Sequence, residues 1–166
     1  SNQIQLLNLN TIVSTPIITL AHQATELATN RGDALLYYMD ADSSPNLYFY
    51  DYILGSNNIL LDTSTLFSIT ADVKGIGFDN KRYFLYLGYE TLATIVKIAV
   101  NPYDRYTTPG VQTYSASIIQ LSFTPTITDI TVQESTGYLY MTTGESCMSL
   151  YKINPETGAI LASNVI

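Results

Sequence analysis

The chain repeats itself with a period of about 50 residues. When segment 128–140 is placed on segment 74–86, an offset of 54, Ile130 falls on Ile76, Leu139 on Leu85 and Tyr140 on Tyr86. At an offset of 49, Leu36-Tyr37 falls on Leu85-Tyr86, so a third copy lies upstream. A repeated unit of this length, built from strands and tight turns, is typical of β-propeller blades. The repeat therefore predicts an architecture, and it leaves the activity open.

Strand patterns dominate each copy. Residues 19–29 form the best helical window, and we expect at most one short helix there, because no 3.6-residue apolar stripe is sustained. The repeat divides the 166 residues into a single propeller-like segment with units at about 1–22 (partial), 23–70, 71–124 and 125–166. Segments rich in Tyr, Ile, Leu, Val or Phe are predicted strands: 34–39, 47–54, 83–89, 94–100, 117–123, 138–142 and 149–153.

Apolar residues occupy both faces of the second strand of a unit, as in Tyr83-Phe84-Leu85-Tyr86-Leu87. Such a strand is expected between two neighbouring sheets. The prediction is an all-β fold of four-stranded antiparallel propeller-like blades, with a β-sandwich as the alternative, since short strands at this spacing suit both. The repeat favours the propeller, because the strands of a sandwich need not resemble one another.

The number of units leads to a further expectation. About three and a half blades are present, whereas closed propellers typically have four to eight. We expect either that the chain is part of a longer one, which we favour, or that copies combine. A three-blade protomer could close a six-bladed homodimer, and open blade edges could self-associate.

One blade carries a family resemblance. Gly137-Tyr138-Leu139-Tyr140, followed by Asn154-Pro155-Glu156-Thr157-Gly158, resembles the blades of YVTN-type, SMP-30-like and quinoprotein-type propellers. Those families repeat a Gly-x-Leu-Tyr-Val strand and an Asp-Pro-x-Thr-Gly turn. The chain lacks Trp, which quinoprotein and WD40 blades use. The resemblance implies the propeller fold, and it implies no cofactor or substrate.

Charge excludes some classes of partner. The formal net charge is −7, and charged residues make up 13% of the chain, against roughly 25% in an average soluble domain. Without a basic stripe, nucleic acid is not an expected partner. Without a run of about 18 apolar residues, no membrane insertion is expected. A composition with little charge and abundant Thr, Asn and Tyr favours a secreted or cell-surface protein.

The best metal candidate is the pair Asp40 and Asp42. Together with Ser43 and Ser44 these carboxylates supply the oxygen ligands that Ca²⁺ prefers. The Gly and Glu of an EF-hand loop are missing, so a solvated hairpin loop is the alternative. The single histidine, His22, has no nucleophile or carboxylate partner indicated by the sequence, and it is interpreted as a turn residue. No other cofactor is predicted.

The loop at 101–113 is the largest departure from the repeat. It holds Tyr103, Asp104, Arg105 and Tyr106, and Tyr and Arg are the residues that most often anchor protein interfaces. We therefore expect a protein or a glycan to bind here. Arg31-Gly32-Asp33 is the integrin tripeptide, but it aligns with a tight turn, where Gly and Asp are common.

Two function classes follow. A non-catalytic interaction or structural module is favoured, binding through loops on one rim. The alternative is a hydrolase or lactonase-type enzyme, because the resembling families include such enzymes. Catalysis would need polar side chains from successive first strands to converge, and only Asp72 and Asp129 flank those strands. An enzyme is therefore possible but not preferred.

Overall fold

The computed structural model describes residues 2–8, 10–11, 13–40, 46–102, 104–108, 110–144 and 148–165, apart from the side chains of residues 6, 7 and 105. Within these ranges there are fourteen strands and two short helices. They are β1 (Gln3–Asn8), β2 (Val13–Thr19), β3 (Ala24–Asn30), β4 (Leu35–Asp40), β5 (Asn46–Asp51), β6 (Ser56–Asp62), α1 (Thr63–Phe67), β7 (Val73–Asp79), β8 (Phe84–Tyr89), β9 (Thr94–Val100), α2 (Asp104–Thr107), β10 (Tyr114–Gln120), β11 (Ile127–Gln133), β12 (Tyr138–Thr143), β13 (Ser149–Ile153) and β14 (Ile160–Val165).

The strands form three four-stranded antiparallel sheets and one two-stranded pair. The first sheet is β3-β4-β5-β6, the second is β7-β8-β9-β10 and the third is β11-β12-β13-β14, each in chain order. β1 and β2 form the N-terminal pair. The segments aligned by the repeat, in β4, β8 and β12, are the second strand of each sheet. The predicted four-stranded antiparallel units are confirmed, and the sandwich alternative is wrong.

Most predicted strand limits agree with the structure, and the differences have local causes. β10 begins three residues before the predicted segment 117–123, because Tyr114 already pairs with Val100. Residues 19–29 contain no helix, and most of them form β3. The unpredicted helix α1 starts after Asp62, whose side chain accepts hydrogen bonds from the backbone N–H groups of Ser64 and Thr65. This is ordinary N-cap chemistry.

The core lies between successive sheets. Leu35 and Tyr37 pack with Leu85 and Ile98 between the first and second sheets. The corresponding layer between the second and third sheets contains Tyr86, Ile95, Leu139, Met141 and Ile153. The N-terminal pair covers the other face of the first sheet, where Ile18 and Leu20 meet Leu36 and Tyr38. β4 and β8 are therefore buried on both faces.

The third sheet has one covered and one open face. Leu139, Met141 and Thr143 are buried, whereas the alternating residues of β12 are only partly buried. The repeat predicts burial of Tyr140 as of Tyr86, and this is wrong, because the face that carries Tyr140 has no sheet against it among the described residues. Self-association through open blade edges remains a prediction.

The repeat extends to backbone conformation. The last residue of the turn between the first and second strands is Ala34, Tyr83 and Gly137 in the three sheets. All three have a positive φ, of 53°, 59° and 80°. Alanine and tyrosine are rare in this left-handed region, so the turn geometry is imposed by the strands on either side. The positive-φ position thus recurs at offsets of 49 and 54 residues, even where alanine or tyrosine is unfavourable in that conformation.

The two helices in the described part of the chain are five and four residues long, and neither could cross a membrane.

Candidate functional site

In each sheet, the turn that joins the first two strands and the connection that joins the last two strands lie at the same face of the molecule. In an antiparallel sheet with strands in chain order, the turn between strands one and two and the turn between strands three and four lie at the same end. This end, called the turn face below, carries the inner turns at 31–34, 80–83 and 134–137. It also carries the outer connections at 52–55, 101–113 and 154–159. The predicted binding loop therefore lies beside the outer turn of the neighbouring sheet.

The base of the 101–113 loop is closed by Asp104. This residue is 5% exposed, and one carboxylate oxygen, Oδ1, accepts a hydrogen bond from Asn101 Nδ2 at 2.6 Å. The other oxygen, Oδ2, accepts from the backbone N–H of Thr113 and from its hydroxyl, the latter at 2.7 Å. Asp104 thus holds the two ends of the loop together with both carboxylate oxygens, and its contact with a partner remains a prediction.

The loop is also fixed to the first sheet. The hydroxyl of Tyr37, in β4, donates to Gln112 Oε1 at 2.9 Å, and Gln112 Nε2 donates to the carbonyl of Asn101 at 2.9 Å. Burial raises the pKa of Tyr37, and the nearby carboxylates of Asp33 and Asp104 raise it further. The phenol therefore stays protonated and keeps donating to the loop.

The other predicted loop residues differ in position. Tyr106, on α2, is 74% exposed and is available to a partner. Tyr103 lies outside the described residues, and so does the side chain of Arg105. The binding role of these side chains remains a prediction, with Tyr106 as its exposed member.

The turn between β5 and β6 was not predicted as part of the site. Asp51 Oδ1 accepts hydrogen bonds from the N–H groups of Ile53 and Leu54, at 2.8 and 3.0 Å. Gly55, with a φ of 64°, donates to the carbonyl of Asp51 at 2.8 Å. These bonds hold Tyr52, Ile53 and Leu54 on the surface, and Ile53 is 67% exposed.

The third sheet has a similar turn, in which the exposed side chains, Glu156 and Thr157, are polar. Asn154 Oδ1 accepts from the N–H of Glu156 at 2.9 Å. Gly158, with a φ of 72°, donates to the carbonyl of Asn154 at 2.9 Å. The backbone thus uses Asp or Asn at the first position and Gly at the last. The turn backbone does not require apolar residues between the Asp or Asn and the Gly. A comparison of the two aligned turns in the sequence would therefore have identified Tyr52, Ile53 and Leu54 as apolar residues that the turn does not need.

The turn and the loop form one surface. A Cβ placed on Gly110 would lie 3.8 Å from Leu54 Cδ1, and a small cavity lined by Phe49, Asp51 and Val111 lies where loop and turn meet. The exposed apolar side chains on this part of the turn face are called the rim patch: Tyr52, Ile53, Leu54, Tyr106 and Val111. Single exposed apolar residues are common, but a cluster of them marks an interaction site.

The predicted calcium loop is only partly described. Asp42 lies outside the described residues, and Asp40 Oδ2 is 3.2 Å from His22 Nδ1. In the part of the chain that the structure describes, no three His, Cys, Asp or Glu side chains converge as a metal site would require. Calcium binding remains a prediction.

The Arg31-Gly32-Asp33 segment has the geometry of a turn. Asp33 is 3% exposed and accepts a hydrogen bond from Asn30 Nδ2 at 2.9 Å. Arg31 Nη2 lies 2.7 Å from Glu134 Oε1. A buried aspartate beside an arginine that pairs with another residue cannot present the tripeptide to a receptor.

The first strands of the three sheets line a cleft of about 360 Å³. At the turn face, Arg31, Asn80 and Glu134 close it with hydrogen bonds. Glu134 Oε1 accepts from Arg31 Nη2 at 2.7 Å and from Asn80 Nδ2 at 2.9 Å. The backbone N–H of Arg31 donates to Asn80 Oδ1 at 2.6 Å. These residues are 49 and 54 positions apart, so equivalent turns of successive sheets are bonded in series.

At the opposite end of these strands, Glu26 has an altered acidity. Partial burial raises its pKa to about 7, the charge of Asp129 contributes to the increase, and Lys74 opposes it. Lys74 Nζ also lies 3.6 Å from Asp72 and 3.7 Å from Glu90. Sequence reasoning named Asp72 and Asp129 here but missed Glu26, which the alignment places at the position of Asp129.

Sequence comparison assigns no family, since no family model and no curated protein matches the chain. Solved structures of similar fold include the following three. A chain of the nidogen/laminin complex is 15% identical, with a TM-score of 0.69, over 98% of this chain and 59% of that one. A Bacteroides thetaiotaomicron protein of unknown function is 15% identical, with a TM-score of 0.62, over 93% and 36%. Hydrazine synthase of Kuenenia stuttgartiensis is 16% identical, with a TM-score of 0.60, over 99% and 43%.

These similarities concern the fold alone, because the identities are 15–16%. The chain spans between about a third and three fifths of the length of each of these structures. Together with the three four-stranded antiparallel sheets, they show that the chain has an all-β, propeller-like fold.

Proposed function

We propose that this chain is a non-catalytic interaction module of a secreted or cell-surface protein, and that it binds a protein partner through the rim patch. The observation that carries this proposal is the difference between two turns of identical backbone design. In the turn at 154–158 the exposed side chains, Glu156 and Thr157, are polar, whereas the turn at 51–55 exposes three consecutive apolar side chains. Their exposure is unnecessary for the turn and is unfavourable in water.

Hydrogen bonds hold the backbone under the rim patch in place, so a partner can bind with little change in backbone conformation. The turn is held by Asp51, and the adjoining loop is held by Asp104 and by the bond from Tyr37 to Gln112. Side chains on a fixed backbone lose less conformational entropy on association than those on a free loop. The aliphatic character of Ile53, Leu54 and Val111 favours a protein partner over a glycan, which would need more polar contacts.

The experiment is a selection of proteome fragments displayed on phage, using the folded chain as bait. Enriched fragments are then measured against the double variant Ile53→Glu, Leu54→Thr, which copies the polar residues of the 154–158 turn and leaves Asp51 and Gly55 intact. Binding should fall at least about tenfold, as expected for loss of buried apolar anchors, with an unchanged melting temperature.

The matched control is Ile59→Thr, which removes an exposed apolar side chain from β6, outside the patch. This variant should bind like the wild type. Tyr106→Ala should weaken binding without changing the melting temperature, because the side chain is almost fully exposed. Equal binding by the wild type and the double variant would refute the rim patch as the site.

A second candidate function has a specific observation in its favour. Glu26 and Asp129 come from the first strands of two sheets, and a carboxyl group with a pKa of about 7 suits a general acid or base at neutral pH. The resemblance to SMP-30-like blades would then extend to a hydrolase or lactonase. A panel of lactones and esters should show turnover that Glu26→Gln abolishes, and equal rates in both proteins would refute this candidate.

A further inference from the structure

We propose that the partner segment bound at the rim patch is apolar and flanked by Lys or Arg. This inference rests on the proposed function, and it adds the charge of the ligand. It follows from three buried carboxylates beneath the patch, which belong to the last residue of β5, to the turn at 31–34 and to the first residue of α2.

Three aspartates lie close together beneath the patch. Asp33 and Asp51 line the small cavity under Gly110 and Val111. Asp104 lies at the base of the loop, and both Asp33 and Asp104 are near enough to the Tyr37 hydroxyl to affect it electrostatically. All three are nearly inaccessible to solvent. Charges screened little by water act over longer distances than exposed ones.

Among the described residues, the groups that donate hydrogen bonds to the carboxylates of Asp51 and Asp104 are neutral. Asp51 accepts from the backbone N–H groups of Ile53 and Leu54, and Asp104 accepts from the amide of Asn101 and from Thr113. Hydrogen bonds of this kind favour the ionised carboxylate but do not cancel its charge. The negative charge therefore acts on the surface above.

Four basic side chains outside the patch pair with other carboxylates. Arg31 pairs with Glu134, Lys74 with Asp72 and Glu90, Arg82 with Asp79 and Lys97 with Glu156. In the two segments that build the patch, 51–58 and 101–113, Arg105 is the single basic residue in the sequence, against Asp51 and Asp104. The chain as a whole carries −7. A basic flank on the ligand is therefore attracted, and an acidic flank is repelled.

The charge can be removed without changing the turn. In the third sheet Asn154 Oδ1 makes the bond that Asp51 Oδ1 makes in the first. Asp51→Asn keeps this acceptor and loses the charge, so the apolar patch above it stays in place. The melting temperature of the variant verifies that it is folded.

The experiment is a selection of random 12-residue peptides displayed on phage against the whole chain at low ionic strength. Patch-dependent peptides, defined by loss of binding to Ile53→Glu, Leu54→Thr, should combine apolar residues with an excess of Lys or Arg. Asp51→Asn should bind them about threefold to tenfold more weakly, mainly through slower association, and 0.5 M salt should remove this difference.

The outcomes separate the two proposals. Patch-dependent peptides without a basic excess, or equal binding by Asp51→Asn, would overturn the present inference and leave the proposed function standing. Peptides that bind the double variant as well as the wild type would overturn the proposed function too. Sedimentation of the chain alone tests whether a second copy of the chain occupies the rim patch. Self-association that the double variant abolishes would make the second copy the ligand. That result would overturn the inference of a basic partner segment.

Discussion

Replacing Gly75 with alanine should force the second and third sheets apart at their first strands. A Cβ on Gly75 would lie 2.6 Å from the backbone N of Ile130 and 2.8 Å from the carbonyl carbon of Asp129. Both atoms belong to the backbone of β11, so neither can rotate away as the end of a side chain would. β7 and β11 must therefore separate for the variant to fold.

The magnitude follows from the distance. Restoring a normal Cβ contact of 3.4 Å requires a shift of about 0.8 Å. A gap of this size removes about a quarter to a half of each dispersion contact across it. Over-packing of a core typically costs about 1–3 kcal/mol. Because backbone lies on both sides, we expect the upper part of that range, with a melting temperature lower by about 5–10 °C in a chain of this size.

The assay is urea unfolding followed by circular dichroism, with Gly77→Ala as the matched control on the same strand. There the Cβ would lie 3.1 Å from the carbonyl oxygen of Ile130, so a few tenths of an ångström suffice and the cost should stay below about 1 kcal/mol. If Gly75→Ala costs no more than Gly77→Ala, close approach of β7 to β11 is not what requires glycine.

Further variants test the turn, the core and the titrating carboxyl group. Ala34→Gly should raise the free energy of unfolding by about 1 kcal/mol, because it relieves a left-handed alanine at the position where the third sheet has Gly137; a loss of stability would contradict this. Leu139→Ala should cost about 2–5 kcal/mol, whereas the exposed Leu161→Ala should stay within about 0.5 kcal/mol, and equal losses would show that Leu139 is not in the core. The raised pKa of Glu26 means that the folded chain holds a proton between about pH 4.5 and 7 that the unfolded chain has lost. Stability should therefore fall as pH rises through this window, by about 1 kcal/mol after solvent screening of a half-exposed group, and Glu26→Gln should remove this component, which denaturation at several pH values measures.

Strand order and sheet composition could be predicted because they depend on short-range patterns. The alternation of apolar residues repeats at offsets of 49 and 54, and β9 and β13 begin and end where that pattern predicts. The start of β10 could not be predicted in this way. It depends on where Asn101, Asp104 and Thr113 close the loop, and those bonds join residues up to twelve positions apart.

The 101–113 loop could be recognised from sequence as a departure from the repeat, but its internal roles could not. The sequence did not indicate that Asp104 closes the loop through hydrogen bonds to Asn101 and Thr113. The turn at 51–55 became part of the site only because the second sheet packs against the first and brings Gly110 beside Leu54.

The repeating unit can be read from the chain alone, since apolar periodicity within about 50 residues sets the strand register. Which loop side chains share a surface, and which charges lie beneath them, follows only from the way the sheets pack. The rim patch joins residues more than 50 positions apart in two sheets, and their proximity depends on sheet packing that no local pattern encodes.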